Sequence, residues 1–240
     1  MGTWELFDNE AREVKDTTER LSPICVQLIK NSIGVFAESF LVLNDLEPTD
    51  AAKVKMSLLS QSFATLKCAA TLAIHSYYIQ SINLLRTVHE NWVAFHYLTK
   101  CPDKANRWLN KSRRAPDHSA MLKALDDNFL TGKMREWYNV LCGFEHTGSI
   151  AVLSQITFTP SEISIYYGVT YNADRFIISA YAISFWAAMM LDTVTPLVPN
   201  TSKWRVVVSV VKDNILKFID ETNDRLKQNV QHADRRNDST

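Results

Sequence analysis

The sequence predicts a mainly all-α fold, a multi-helix bundle with one small β-hairpin near 154–168. Three observations carry this. Long segments place apolar residues at helical spacing, as in Met134, Trp137, Tyr138, Leu141 and Phe144. The punctuation between them starts and stops helices: Ser22-Pro23, Pro48-Thr49-Asp50, Pro102, and Pro196 with Pro199. The period changes to two in Ser154-Gln-Ile-Thr-Phe-Thr159 and in Glu162-Ile-Ser-Ile-Tyr-Tyr167, on either side of Pro160.

The elements follow in order. Residues 3–22 form a polar helix with Trp4, Leu6, Phe7, Val14 and Leu21 loosely on one side. A second helix starts at Pro23, with Ser22 as its cap, and ends near 43–44. The third runs from 50 to 74, capped by Thr49 or Asp50. Its second half, Cys68-Ala-Ala-Thr-Leu-Ala-Ile74, is built from small residues that permit close helix packing. His75-Ser76 breaks it, and a fourth helix covers 77–99 until Pro102 ends it. Ala115-Pro116-Asp117 is a turn, after which Ser119 caps a short helix to about 125. Helices over 132–147, 174–194 and 201–229 complete the set, the first of them stopping at Gly148. No repeat or low-complexity linker divides the chain. Residues 1–230 therefore read as a single helical domain, and 231–240 as a frayed polar tail.

Composition narrows the function classes. Of 240 residues, 46% are hydrophobic and 22% charged, and the net charge is zero, which is ordinary for a globular protein and gives no global field for a nucleic acid or a membrane. The longest uncharged apolar run, Phe176–Leu191, has 16 residues between Arg175 and Asp192. That is short of the roughly 20 a span needs, so it reads as a buried core helix and no membrane partner is expected. Cys25, Cys68, Cys101 and Cys142 lack metal-ligand spacing and read as free, buried thiols of a reducing cytoplasm. The polar start of the chain contains no signal-peptide pattern, so the localisation expected is cytoplasmic and the sequons at Asn110, Asn200 and Asn237 are chance matches.

The functional candidates centre on Arg86-Thr-Val-His-Glu90. From Cys68 to Thr99 the chain has 32 residues and only two formally charged side chains, Arg86 and Glu90, four apart and so on one helix face. Leu84, Leu85, Val88, Trp92, Val93 and Phe95 surround them, which predicts a buried helix with a polar centre. A buried charge is costly unless paired. Arg before Glu is the poorer order for a local pair, so partners elsewhere in the fold are expected, with His146 as the candidate. It sits near a helix end whose dipole favours imidazolium. A cluster open to a cleft would be catalytic, whereas one sealed under Trp92 and Tyr97 would be structural.

A second candidate is the basic run Lys104, Arg107, Lys111 and Arg114 at helical spacing, with Arg113 beside it and Trp108 between. It reads either as a nucleic-acid contact, with Trp108 stacking on a base, or as a solvated face with one buried tryptophan. His89-Glu90 starts like HExxH, but Val93 takes the fifth position. His96 lies about 10.5 Å along the axis, too far to share one zinc, so no metal is expected. Gly143 and Gly148 have the spacing of a phosphate loop without its lysine or its strand, and no cofactor motif occurs.

Leu84-Leu-Arg86-Thr-Val-His-Glu90, then Leu98-Thr-Lys-Cys-Pro102-Asp103, then Tyr138-Asn-Val-Leu-Cys-Gly-Phe-Glu-His146, resembles a bacterial all-helical family of unknown function with the pattern LLRxxxE…P… and Yxx(L/S)xxxxH. That family is similar in appearance to the HEPN proteins (higher eukaryote and prokaryote nucleotide-binding domains). The resemblance covers about residues 55–150. It implies a helical architecture, RNA or a nucleotide as partner, and metal-independent RNA cleavage of the defence or toxin type. Arg113-Arg-Ala-Pro-Asp-His118 has the spacing of the HEPN Arg-x4-6-His motif. It contains Pro116, lies in a predicted loop and lacks the polar residue that usually follows the arginine, so the catalytic role is not carried over to it. Two functions stay open. One is a ribonuclease with Arg86 stabilising a phosphorane, His146 as acid or base and Glu90 orienting one of them. The other is a non-catalytic binding module in which Arg86–Glu90 is a structural pair. The apolar face of the last helix fits a homodimer contact and core packing equally.

Overall fold

Capping and periodicity set the helices of the computed structural model, which describes residues 3–43, 48–110, 114–125, 128–145, 156–159, 162–165 and 170–237. The order is α1 (Thr3–Leu21), α2 (Pro23–Val42), α3 (Asp50–Ile74), α4 (Tyr78–Lys100), α5 (Asn106–Leu109), α6 (His118–Leu125), α7 (Asn128–Glu145), β1 (Ile156–Thr159), β2 (Glu162–Ile165), α8 (Ala173–Val194) and α9 (Lys203–Asn237). Short 3-10 turns occupy Pro102–Ala105 and Thr195–Leu197. The architecture is an all-α multi-helix bundle. Of the segment expected as a hairpin near 154–168, the described residues form two four-residue strands, with Ile156 opposite Ile165 and Thr159 opposite Glu162. Strands this short make a ribbon and not a packed layer. The expected hairpin therefore adds no sheet to a core built by helices.

The central unit is the pair α3–α4. The chain reverses between them at Ser76, whose φ of 66° is left-handed. Tyr77 N–H bonds back to Leu72 C=O at 2.8 Å and Ser76 N–H to Ala73 C=O at 3.0 Å, which together satisfy the last carbonyls of α3. The Ser76 hydroxyl is buried and hydrogen-bonds the Tyr78 hydroxyl at 3.0 Å, which holds a non-glycine residue in that conformation. The helices then run antiparallel, tied by Ser81 Oγ to Ala69 C=O (2.8 Å) and by Asn91 Nδ2 to Ser62 Oγ (3.2 Å). Ala69 and Ala73 are fully buried at this seam, as the small-residue stretch predicts. Further sides of α4 are covered by α8, α6 and α7, and α2 packs on α8 and α9. Trp204 of α9 locks that contact by donating its indole N–H to Val35 C=O at 3.0 Å.

Several expectations are corrected. Ser22 makes no capping bond to α2. Its hydroxyl instead meets the Tyr171 hydroxyl at 2.8 Å. Asp117, not Ser119, caps α6, because its carboxylate accepts from both Ala120 N–H and Ser119 Oγ. Helix α7 begins at Asn128, and α9 runs to Asn237, longer than the 201–229 expected. The four cysteines are free but not buried: Cys68 is exposed and the others half-buried. Helix α2 and the segment Ala173–Leu197 are long and apolar enough to cross a membrane. In the latter 67% of the apolar window is buried inside the bundle.

Two local predictions follow from this frame. Thr49, whose hydroxyl accepts from Ala52 N–H at 3.1 Å, should cost about 1 kcal/mol when changed to Ala. Ser76→Val should cost about 2–3 kcal/mol, from a β-branched residue in a left-handed position and the lost hydroxyl bond. Ser76→Gly should cost less, because glycine adopts that conformation freely. Chemical denaturation of the three variants measures all of these.

Candidate active site

Arg86 and Glu90 sit one turn apart on α4. Arg86 Nε donates to Glu90 Oε1 at 2.9 Å, and Arg86 Nη2 donates to the Tyr138 hydroxyl at 3.0 Å. The distant partner that the unfavourable residue order implied is thus Tyr138 of α7, and the guanidinium also lies 5.2 Å from the centre of that ring. His146, the partner expected from the sequence, lies outside the described residues. The pair is not sealed in the core as the sequence suggested. The Arg86 and Glu90 side chains keep 22% and 39% of their exposure. Leu85, Val88, Trp92 and Val93 fill the buried sides of α4 and leave the two charges on its rim. Trp92 turns to His96 (ring centres 4.3 Å apart) and Tyr97 to Trp108 (6.3 Å).

Three further side chains complete the cluster. His89, fully buried, places Nε2 2.9 Å from Nε2 of His118. His118 is the first residue of α6 and half-buried. Its ring stacks on Tyr138 with centres 4.0 Å apart and planes at 17°. Behind them Trp186 of α8 meets His89 edge-on, at 5.0 Å and 83°. Among the described residues, both the Nδ1 of His89 and the indole N–H of Trp186 are buried without a hydrogen-bond partner. Four helices, α4, α6, α7 and α8, therefore converge on one arginine, one carboxylate, one phenol and two imidazoles.

Burial sets the protonation of this group. Desolvation, with the His118 and Arg86 charges adding to it, pushes the His89 pKa down from 6.5 to about 3. Desolvation also lowers His118. The Arg86 and Arg135 charges act with it, against the raising pull of Glu90 and Asp117. Both imidazoles are therefore neutral near pH 7, and one proton is shared along the Nε2–Nε2 bond. Desolvation alone would lower the Arg86 pKa, but the Glu90 hydrogen bond and charge more than offset it and Arg86 lies above its ordinary value. Desolvation raises the Tyr138 phenol, helped by Cys142 and Glu90 and opposed by Arg86. Tyr138 is thus a neutral phenol.

Lys104 pairs with Asp103 at 2.7 Å. Arg107 and Arg114 are exposed, Trp108 is half-buried against the core, and Lys111 and Arg113 lie outside the described residues. The expected continuous basic face is interrupted, because α5 ends at Leu109 and Asn110 is extended (ψ 111°). His96 has a different partner from His89, with Nε2 3.2 Å from Thr193 Oγ1. Among the described residues no three His, Cys, Asp or Glu side chains are grouped to hold a metal. The sequence reading missed His89, His118 and Tyr138. Two signals pointed to them: His89 is three residues from Arg86 on the same helix, and the Arg113–His118 spacing was noted but assigned to a loop. Family models, curated proteins and solved structures contain no match to this chain.

The buried histidine makes stability depend on pH. Between pH 6.5 and about 3 the unfolded chain binds a proton at position 89 that the folded chain refuses. Stability is then fully present above pH 6.5 and falls as the pH drops from 6.5 toward 3. At about 1.4 kcal/mol per pKa unit the loss reaches several kcal/mol. Thermal melts from pH 7 to 4 should show His89→Phe losing less stability on acidification than wild type. His96, pushed to about 4 by desolvation, should account for part of the slope that remains.

Proposed function

We propose that this chain is a HEPN-like bacterial protein of the cytoplasm, of the defence or toxin type, that cleaves RNA without a metal. The observation that carries this reading is the neutral, half-exposed His118 held beside a charged arginine and a phenol at a rim that solvent reaches. A base, an anion stabiliser and a hydroxyl donor are the parts that transesterification by the RNA's own 2′-hydroxyl requires. The resemblance of Leu84–Glu90 and Tyr138–His146 to the HEPN-like family agrees with it.

In this scheme His118 Nδ1, the ring nitrogen not engaged with His89, takes the 2′-hydroxyl proton while the 2′-oxygen attacks phosphorus. Arg86 and the Tyr138 hydroxyl face the negative charge that develops on the phosphorane. The bond to the 5′-oxygen breaks, and His118 returns the proton to that leaving oxygen. The products are a 2′,3′-cyclic phosphate and a 5′-hydroxyl. Glu90 holds Arg86 in place. His89 is a positioning residue, since its Nε2 fixes which nitrogen of His118 faces the substrate. The acid–base role assigned from sequence to His146 thus moves to His118. His146, which follows the last residue of α7, is the second candidate for the leaving-group proton. The exposed Arg107 and Arg114, with Arg135 whose charge reaches His118, supply positive charge for the phosphate backbone.

A second reading has a specific observation in its favour. Two of the Arg86 nitrogens are already engaged inside the chain, by Glu90 and Tyr138, as in a structural pair of a non-catalytic binding module. RNA cleavage with EDTA present separates the two. Folded His118→Ala and Arg86→Ala should each lose roughly 100–10,000-fold in rate. Tyr138→Phe should keep the ring stack and lose less. Because the His118 pKa lies below 6.5, the rate should rise with pH through a limb on the acidic side of 6.5 and level off above it. Absence of cleavage by wild type on varied RNAs, together with a large fall in melting temperature for Arg86→Ala, would leave the binding-module reading.

A further inference from the structure

On α3, Ala52, Lys55, Met56 and Leu59 share one helix side by their spacing. They line a cavity of about 300 Å³ together with Thr49, Phe95 of α4 and Leu197 of the turn after α8. This is a different part of α4 from the Arg86 cluster. The lining is apolar except for Thr49, whose hydroxyl already caps α3, and Lys55.

Lys55 is half-buried, with Nζ 5.0 Å from the centre of the Phe95 ring. Among the described residues no carboxylate lies within ion-pair distance of it. Desolvation holds its pKa below the ordinary lysine range. The neighbouring histidine offers no compensation. His96 is neutral near pH 7 and is itself lowered by the Lys55 charge. Among the described residues, this partly desolvated ammonium facing an apolar cavity has no counter-charge.

We propose that this cavity binds a small monocarboxylate with an apolar body, its carboxylate on the Lys55 ammonium and its body against Phe95, Met56, Leu59 and Leu197. The volume is at the low end of the roughly 300–1,000 Å³ typical of ligand sites, which sets the size class. One cation with a single additional hydroxyl matches one carboxylate. A phosphate dianion would need several donors, and a sugar would leave its hydroxyls unpaired against the apolar lining. The site does not depend on the RNA-cleavage reading.

The test uses the full chain with hexanoate and benzoate as probes, and hexanol and benzyl alcohol as uncharged counterparts. Calorimetry and NMR measure binding to wild type and to Lys55→Met, a substitution whose apolar side chain suits the lining. Both carboxylates should bind wild type, and Lys55→Met or removal of the charge from the probe should weaken binding roughly tenfold or more. Absence of any heat or chemical-shift change with millimolar carboxylate overturns the proposal. Equal binding of the alcohols, or equal binding to Lys55→Met, overturns it by showing an apolar cavity without anion recognition. Affinity that appears only after Asp45→Asn or Glu47→Gln also overturns it, because the chain would then supply its own carboxylate.

Discussion

The structure depends on the enclosure of α4. Helices α3, α6, α7 and α8 all pack on it, and Leu85, Val88, Val93 and Leu98 have no exposed surface. A helix covered to that extent cannot carry a charge on most of its faces without several kcal/mol of desolvation per ion. Arg86 and Glu90 occupy the rim that remains. There Arg86 reaches two neighbours, donating from Nε to Glu90 and from Nη2 to the Tyr138 hydroxyl.

The same enclosure determines the chemistry of the two histidines. His89 is only one residue before Glu90, yet it points inward, where the charged imidazolium is strongly disfavoured. His118 arrives from α6 and meets it at the boundary. A dry imidazole behind a wetter one makes a pair in which the inner ring fixes the tautomer and the outer ring remains reachable. Tyr138 binds this pair to the arginine, since it stacks on His118 and accepts from Arg86. The unpartnered nitrogens of His89 and Trp186 mark the inner limit of the group.

Much of the bundle was legible because helix period and punctuation act locally. The Pro23 start, the Thr49 cap and the His75-Ser76 break all fall where the sequence places them. Errors came at two helix starts, one through a distant partner and one through a better cap two residues earlier. Ser22 left its capping role for Tyr171, and Asp117 displaced Ser119. At the candidate site the sequence identified the arginine and glutamate because two charges stand out in an apolar stretch. It did not identify His118 or Tyr138, because their importance arises from α6 and α7 folding back on α4, a long-range contact that no local period encodes. The helical spacing of the basic run was likewise counted across Asn110, where the helix stops.

The convergence of four helices on one cluster divides it into a fixed half and an adjustable half. Arg86, His89 and Glu90 belong to a helix held on several sides, and any substitution that rotates it disturbs the whole core. His118 and Tyr138 belong to α6 and α7, which among the described residues pack mainly on α4, with Trp137 of α7 also stacked on Phe185 of α8. Rearrangements of the cluster would come from α6 and α7, because those helices can shift by fractions of an ångström without unseating the core. Arg86, His89 and Glu90 would keep their places on α4.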